Sequence, residues 1–389
     1  MQHSIGINMK IRNIYITTLA LLLTACSESE IDNGQQKGKM PVLFSAGTTE
    51  AAVTRAVAPY MPESSRFVCS MFFHAGANDT NESEFTEPVL DVNMTTAWLK
   101  ISNTSGNAIY WNSGYTDSSV DSYGFDVNAK CFYWQNRLNH VFLALADNNK
   151  LKTDDGSSDT GTLKLFPDVK NTKDQYIVYD LTKGGSMAEQ PDPIQAVVTM
   201  NPAGATPEAN RVKLFFKHQF SQVQVNLKSS QDGSVTIDDH TLIEKVELLG
   251  VAETGYVAYC IKSDGTVPAS TSEPINIDDK KYADTKKDNP FGSSFSLFVS
   301  NTTPTGYLKT FEGIAFGTLQ GIRITWKEAD TDVKHVATYK GVTNKTLVSG
   351  TKYIFNMELR RSVIAKVTAV VTPWEMDQTD YNADGTIQD

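Results

Sequence analysis

The sequence predicts an all-β protein built as two tandem β-sandwich domains. Three observations lead there. Short apolar runs alternate with polar residues at period two, the mark of strands with one buried face. No window longer than about a dozen residues repeats at 3.6, so long amphipathic helices are not expected. Glycine and proline, 25 and 14 residues of 389, punctuate the chain at intervals suited to strands joined by turns. At roughly 100–200 residues per domain, the length suits two domains. Residues 1–25 read as a signal peptide, 26–39 as an acidic and polar tether, 40–205 as the first sandwich and 206–389 as the second.

The leader comes first. Lys10 and Arg12 supply a charged start, and the apolar stretch from Ile14 to Leu23 follows. At about 1.5 Å per residue that stretch is too short to span a bilayer, which marks a signal peptide. Leu23-Thr24-Ala25-Cys26 resembles the lipobox of bacterial lipoproteins and makes Cys26 the expected lipidated first residue of the mature chain. The alternative is an ordinary signal peptide with an incidental cysteine. One acyl chain binds membranes marginally, whereas two or more anchor stably. Ser27-Glu28-Ser29-Glu30-Ile31-Asp32 is similar to the acidic export tag of outer-membrane surface lipoproteins in Bacteroidetes-type bacteria, and equally to a plain acidic tether. Asn33 to Lys39 reads as a linker.

Strands follow in order. Val42 to Gly47 is an early short strand, and Phe67 to Phe73 a second with Cys69 inside it. Cys131 lies in Ala129 to Trp134, and His140 opens the continuous apolar run to Ala146, as in a strand buried on both faces. Asn201 to Asn210, with two prolines and a glycine, is the expected domain boundary. From Val212 to Leu227 the apolar parity changes: Leu214, Phe216 and His218 share one, Val223, Val225 and Leu227 the other. A bulge or bend near Gln219 to Ser221 accounts for the change. Tyr353, Phe355, Met357 and Leu359 share one face of a strand, and Val363, Ala365, Val367, Ala369 and Val371 share one face of the next. Short helices are expected in connections near Ala188 and Asn344.

Composition excludes several functions. Net charge is −10, and no basic cluster exceeds Lys280-Lys281 or Lys286-Lys287, so no nucleic-acid partner is expected. After Leu23 no apolar run approaches a membrane helix. Beyond Cys26, Cys69, Cys131 and Cys260 form no metal-like spacing, and the fold does not need a disulfide among them. No nucleophile elbow, zinc-protease helix or phosphate loop is present. The histidines are scattered, and His218, between aromatics, reads as structural. The protein is therefore not expected to be an enzyme or to hold a metal or cofactor. Carboxylates are plentiful without singling out a catalytic pair, which leaves a glycan-active enzyme as a weaker alternative. Asp380 to Gly385 begins like a calcium loop, but twelve-residue loops end on a bidentate glutamate and the sequence offers none, so it reads as a solvated tail. Tyr110-Trp111, Tyr133-Trp134, Trp98, Trp326 and Trp374 read as sandwich core rather than a sugar platform.

Several segments together resemble the fimbrillin-like proteins of Bacteroidetes, subunits of type V pili. They are the lipobox, Val42 to Gly47 leading to Thr54-Arg55-Ala56, Leu214 to Leu227, Leu347 to Phe355, and Ala369 to Trp374. The resemblance implies two transthyretin-like sandwiches and a fimbria assembled by strand exchange and supporting adhesion. In that scheme a lipoprotein precursor is cut after an arginine, which here matches Arg55 with Ala56 as the new start. The removable strand would carry Val42, Phe44 and Ala46. A donor strand from another subunit would carry the counterparts of Val363, Ala365, Val367, Ala369 and Val371, with Pro373 ending it because proline cannot donate to a ladder. Implied partners are other pilus subunits, the outer membrane through lipid, and a host protein or glycan. The implied location is the outer-membrane surface, then the fimbria after processing. The alternative is a permanently lipid-anchored adhesin or glycan-binding protein at the pilus tip or base.

Overall fold

Period-two alternation becomes strand along most of the chain. A computed structural model describes residues 40–47, 60–74, 92–111, 132–152, 176–229, 240–261, 266–271, 294–327, 333–341, 344–360 and 364–374. The first strands are β1 (Phe44–Gly47), β2 (Arg66–His74), β3 (Val92–Ile101), β4 (Asn107–Trp111), β5 (His140–Asp147), β6 (Tyr176–Asp180), β7 (Pro193–Met200), β8 (Val212–Phe215) and β9 (Lys217–His218). The next are β10 (Ser221–Ser229), β11 (Ile243–Val251), β12 (Thr254–Ala258), β13 (Ser294–Ser296), β14 (Phe298–Val299) and β15 (Lys309–Ala315). The last are β16 (Gly317–Lys327), β17 (Lys334–Tyr339), β18 (Lys345–Leu347), β19 (Thr351–Leu359) and β20 (Ile364–Pro373).

The first domain is one eight-stranded sheet in the order β8-β1-β4-β3-β2-β5-β7-β9. Its two outermost members are consecutive pieces of one segment. β8 pairs with β1 at one end and β9 pairs with β7 at the other, so the sheet rolls round and closes on itself. The interior is filled from alternate positions: Phe67, Cys69 and Met71 from β2, Phe142, Ala144 and Ala146 from β5, Val212 and Leu214 from β8. The second domain is a sandwich. The sheet β14-β15-β10-β19-β20 faces the sheet β13-β11-β16-β17, with β18 also paired to β16. Val223, Val225 and Leu227 from one side meet Val246, Leu248, Ile322 and Ile324 from the other.

A third core joins the domains. β6 pairs with β12 as a two-stranded sheet made from both halves of the chain. Beneath it lie the outward faces of β2 and β5, with Phe220, Ile314 and Phe316 of the second half. This explains why β5 is apolar at nearly every position: both of its faces are buried. Buried polar links cross the same junction. The Gln190 amide donates to Leu181 O at 2.6 Å and accepts from the Ile314 N–H at 2.7 Å. Gln195 donates to Ala258 O at 2.6 Å.

The parity change between Val212 and Leu227 has a larger cause than a bulge. Phe216 points into the first core and Val223 into the second, so the chain changes sandwiches at Gln219-Phe220. The crossover therefore lies later than the boundary expected at residue 205. Asn201 to Asn210 is the ordered β7–β8 connection of the first sheet. Buried Asn210 holds it closed, accepting from Gly204 N–H and donating to the Gly204 and Thr206 carbonyls. The short helix expected near Ala188 is a 3-10 turn, Met187–Glu189, whereas Asn344 is a left-handed turn residue at φ 55°. Cys69 and Cys260 are buried thiols. Cys131 lies outside the described residues, as do the leader, the tether and the Asp380–Gly385 tail.

His140, at the start of β5, is buried and hydrogen-bonded as a neutral ring. Nδ1 meets Leu138 O at 2.8 Å, and Nε2 accepts the Gln135 N–H at 3.3 Å. Burial pushes its pKa down to about 4, against the smaller opposing effect of the Leu138 carbonyl. The unfolded chain, with an ordinary histidine pKa, binds more protons between about 4 and 6.5. Stability is thus intact above that window and falls as the pH drops through it, by about 2 kcal/mol from pH 7 to pH 5 for this residue alone. Denaturant unfolding at both pH values should show the loss, and His140→Gln should shrink it. An equal loss in the variant would assign the effect to other groups.

Candidate functional site

Residues 40–47 form a central stave of the first domain, not a terminal fringe. β1 lies between β8, to which it is parallel, and β4, to which it is antiparallel. Hydrogen bonds continue along both sides of the segment. Val42 N–H donates to Phe132 O at 3.0 Å, Trp134 N–H to Met40 O at 3.0 Å, and Ala46 N–H to Gly106 O at 2.8 Å. On the other flank Val212 N–H donates to Leu43 O at 2.8 Å and Phe216 N–H to Gly47 O at 2.9 Å. The Arg211 guanidinium donates to Phe44 O at 3.0 Å, and the Tyr110 hydroxyl to Val42 O at 2.6 Å.

Its alternate side chains fill the core. Val42 and Phe44 are 0% exposed and Ala46 1%. The Phe44 ring is boxed edge-to-face by Tyr110, Phe132 and Phe142, with centroids 6.1, 6.0 and 5.6 Å away. Beside Ala46 the backbones come so close that only glycine fits. A Cβ on Gly106, at φ 71°, would stand 2.6 Å from Ala46 O. At its C-terminal end the segment leaves through a bridge between Gly47 and Tyr60. Arg55 and Ala56 lie between these two points, outside the described residues.

β20 is held very differently. Among the described residues it pairs only with β19, at the edge of its sheet. Val367, Ala369 and Val371 lie opposite Met357, Phe355 and Tyr353, on the core side of the sheet. Yet Val371 is 52% exposed and Ala369 is exposed, because the facing sheet does not cover them. The expected alternation breaks at Ala365. Ile364 pairs with Leu359 and Lys366 with Glu358, so Ala365 is the extra residue of a bulge and its exposed side chain leaves the shared face. Val363 lies outside the described residues. Pro373 is the last residue of the strand, opposite Thr351.

The end of β20 is anchored on the first domain. The Trp374 ring stacks on His218 with centroids 3.8 Å apart and planes 6° from parallel. His218 Nδ1 meets Asp192 Oδ1 at 2.7 Å, and Asp192 Oδ2 accepts from the Asn148 amide at 2.9 Å. Trp374 N–H donates to Gly350 O, and Gly350 N–H to Phe220 O, both at 2.8 Å. Ser221 Oγ donates to Val348 O, and Ser349 Oγ to Gln219 O. Three sequence segments read separately above (around His218, Gly350 and Trp374) therefore meet at one point. Sequence reasoning placed His218 as structural but missed its partners. It also missed Phe132, Tyr110 and Phe142 around Phe44. The only signal for them was their apolar character, which does not specify a neighbour. Tyr110, Trp111, Trp134 and Trp326 are buried. Among the described residues no cluster of His, Cys, Asp and Glu could hold a metal ion.

A family model for fimbrillin-like proteins matches residues 91–374, most of the chain. The chain belongs to the fimbrillin-like family. Membership of this family supports a pilus or adhesin subunit at the cell surface and points to a structural role in association with other pilus subunits. Similar solved structures include a candidate cell adhesion protein from Bacteroides uniformis, 14% identical, covering 86% of this chain and 99% of that one at a TM-score of 0.48. Another is a candidate cell adhesion protein from Bacteroides ovatus, 15% identical over 87% of this chain and 99% of that one, TM-score 0.47. The tip fimbrial protein Mfa3 of Porphyromonas gingivalis, truncated at its C-terminus, is 10% identical over 86% of this chain and 100% of that one, TM-score 0.42. A search of curated proteins finds no match.

Proposed function

We propose that this fimbrillin-like protein is a subunit of a surface fimbria, matured by a cut after Arg55 and assembled by strand exchange. The observation that carries the reading is the placement of residues 40–47. They fill the middle of the first core, yet the covalent path from them to the rest of the chain runs through the segment holding Arg55. A cut there leaves the stave held by non-covalent contacts alone. The severed piece would carry Cys26 and its lipid, releasing the subunit from the outer membrane. Its departure would expose β4 and β8 as unpaired edges over an apolar slot, which an added strand satisfies with backbone hydrogen bonds and alternate side chains. β20, an edge strand with Ala369 and Val371 exposed on its inner face, is the proposed donor, and its Val367, Ala369 and Val371 would supply the alternate side chains.

Surface extracts should give ladders resistant to sodium dodecyl sulfate from the wild type and none from Arg55→Ala. Ladders from the variant would sink the cleavage step. Mass spectrometry of the native N-terminus reads the same step independently. A chain starting at Ala56 supports maturation. One starting at acylated Cys26 would identify a permanently anchored adhesin, at the base or tip of a pilus, holding host protein or glycan.

A further inference from the structure

We infer that residues 40–47, while in place, steady the seat of Trp374, so that their departure loosens β20. The inference rests on the strand-removal reading above and adds its regulation: a coupling that keeps the donor strand parked until the slot is empty.

The coupling runs through Val212 to His218, one short segment with two duties. Its first half, β8, has β1 as its single strand partner among the described residues. Phe44 lies beside Val212 and Ala46 beside Leu214, and all four side chains are in the first core. The Arg211 guanidinium holds Phe44 O just before β8, and Phe216 N–H donates to Gly47 O just after it. Loss of residues 40–47 therefore strips β8 of its strand pairing and of the side chains packed along it. The second half, β9, follows after Phe216 alone and carries His218, the ring on which Trp374 stacks. The bond from Phe216 to Gly47 and the seat of Trp374 thus lie two residues apart on one backbone. His218 Nε2 is buried without a hydrogen-bond partner, so the ring is placed by Asp192 at its other nitrogen and by the backbone that carries it.

A second set of ties sets the size of the effect. β9 pairs with β7 at Ile194 and Gln195, Gln219 N–H donates to Pro193 O at 2.9 Å, and Asp192 Oδ1 holds His218 Nδ1 at 2.7 Å. None of these involves β1, so the seat loosens without dissolving. The coupling is accordingly placed at the low end for linked sites, about fivefold. Linkage is reciprocal: a chain without the Trp374 ring should hold residues 40–47 less tightly by the same factor. The physical switch is the β8 half of the segment, laddered to β1 in the intact protein and without a strand partner once β1 has gone.

The test uses the full-length protein cut at Arg55, with the slot emptied by dilution or refilled with an isotope-labelled peptide of residues 40–55. Hydrogen exchange is followed in β20 and in β10. With the slot empty, β20 amides should exchange about fivefold faster while β10 is unchanged, and the labelled peptide should restore β20. In the reciprocal arm Trp374→Ala should bind the labelled peptide about fivefold more weakly than the wild type. Val246→Ala, which opens a cavity in the second core on the sheet facing β10, is the control for general destabilisation and should leave that affinity unchanged. Equal β20 exchange with the slot empty and filled would overturn the inference. So would a uniform acceleration that includes β10, or the same loss of affinity in Val246→Ala. A severed segment that never leaves, or a labelled peptide that never enters, would instead overturn the strand-removal reading on which the inference stands.

Discussion

Phe44→Ala is expected to destabilise the uncut protein by about 3–5 kcal/mol, the range for removing a fully buried aromatic side chain. The site cannot collapse easily around the loss. Its neighbours are themselves large rings tied elsewhere, with Phe142 in the middle of β5 and the Tyr110 hydroxyl bonded to Val42 O. The backbone on either side is pinned by ladder bonds to β4 and β8, so the strand cannot slide to fill the gap. Denaturant unfolding of the uncut chain measures the cost. The same substitution should have no effect on subunits recovered from assembled fimbriae, because residues 40–47 would no longer be part of them. A loss below about 1 kcal/mol in the uncut chain would mean that the segment is not a core stave. A full loss in both forms would mean that it never leaves.

Much of this architecture was legible, and the reason lies in what alternation encodes. Period two reports which side chains of a strand are buried, and it did so for Tyr353, Phe355, Met357 and Leu359, each of which lies in the second core. It also marked a change of parity near Gln219, read from the sequence as a bulge or bend, at the place where the chain passes from one core to the other. What alternation does not report is which strand lies alongside. Nothing in Val212 to His218 reveals that its two halves close one sheet from opposite ends, since that depends on pairings with β1 and β7 far away in sequence. The expected boundary at Asn201 to Asn210 failed for a related reason. Proline and glycine mark a turn, and a turn inside a domain looks like a turn between domains until Asn210 is seen closing the loop. The bulge at Ala365 was hidden because Ile364 and Ala365 are both apolar, so either register reads as a plausible face.

The candidate site divides along the same line. Val42, Phe44 and Ala46 were marked by their alternation, and their burial follows from it. The box around Phe44 and the Asp192–His218–Trp374 stack could not be read in advance, because each is assembled from strands that meet only in the folded chain. The stack also changes the meaning of β20. Seen from sequence alone, Val363 to Val371 is a strand with one apolar face, matched by resemblance to a donor and otherwise to an ordinary core strand. In the fold, its middle is poorly covered and its end is fastened to the other domain.

Trp374→Ala is therefore expected to cost about 3 kcal/mol, near the lower end for an aromatic that is half-buried and stacked, and to act mainly on β20. Among the described residues this strand has one hydrogen-bonded neighbour, and on its inner face Ala369 and Val371 are exposed while Val367 is half-buried, so only modest apolar burial opposes its opening. The Trp374 ring on His218 and its amide on Gly350 O fasten the C-terminal end, and the Asp192 carboxylate keeps the His218 ring in place to receive it. Without the indole the strand should fray from Pro373 inward, losing the pairs of Val371 with Tyr353 and Ala369 with Phe355 before that of Val367 with Met357. Hydrogen exchange should show faster β20 amides in the variant and unchanged protection in β10, which has a hydrogen-bonded strand on both sides. Trp374→Phe keeps a ring over His218 and should retain most of the protection. Unchanged β20 exchange in Trp374→Ala would show that the ladder with β19 is sufficient. In that case a donor strand would have to be pulled from its sheet residue by residue, rather than released at one contact between the domains.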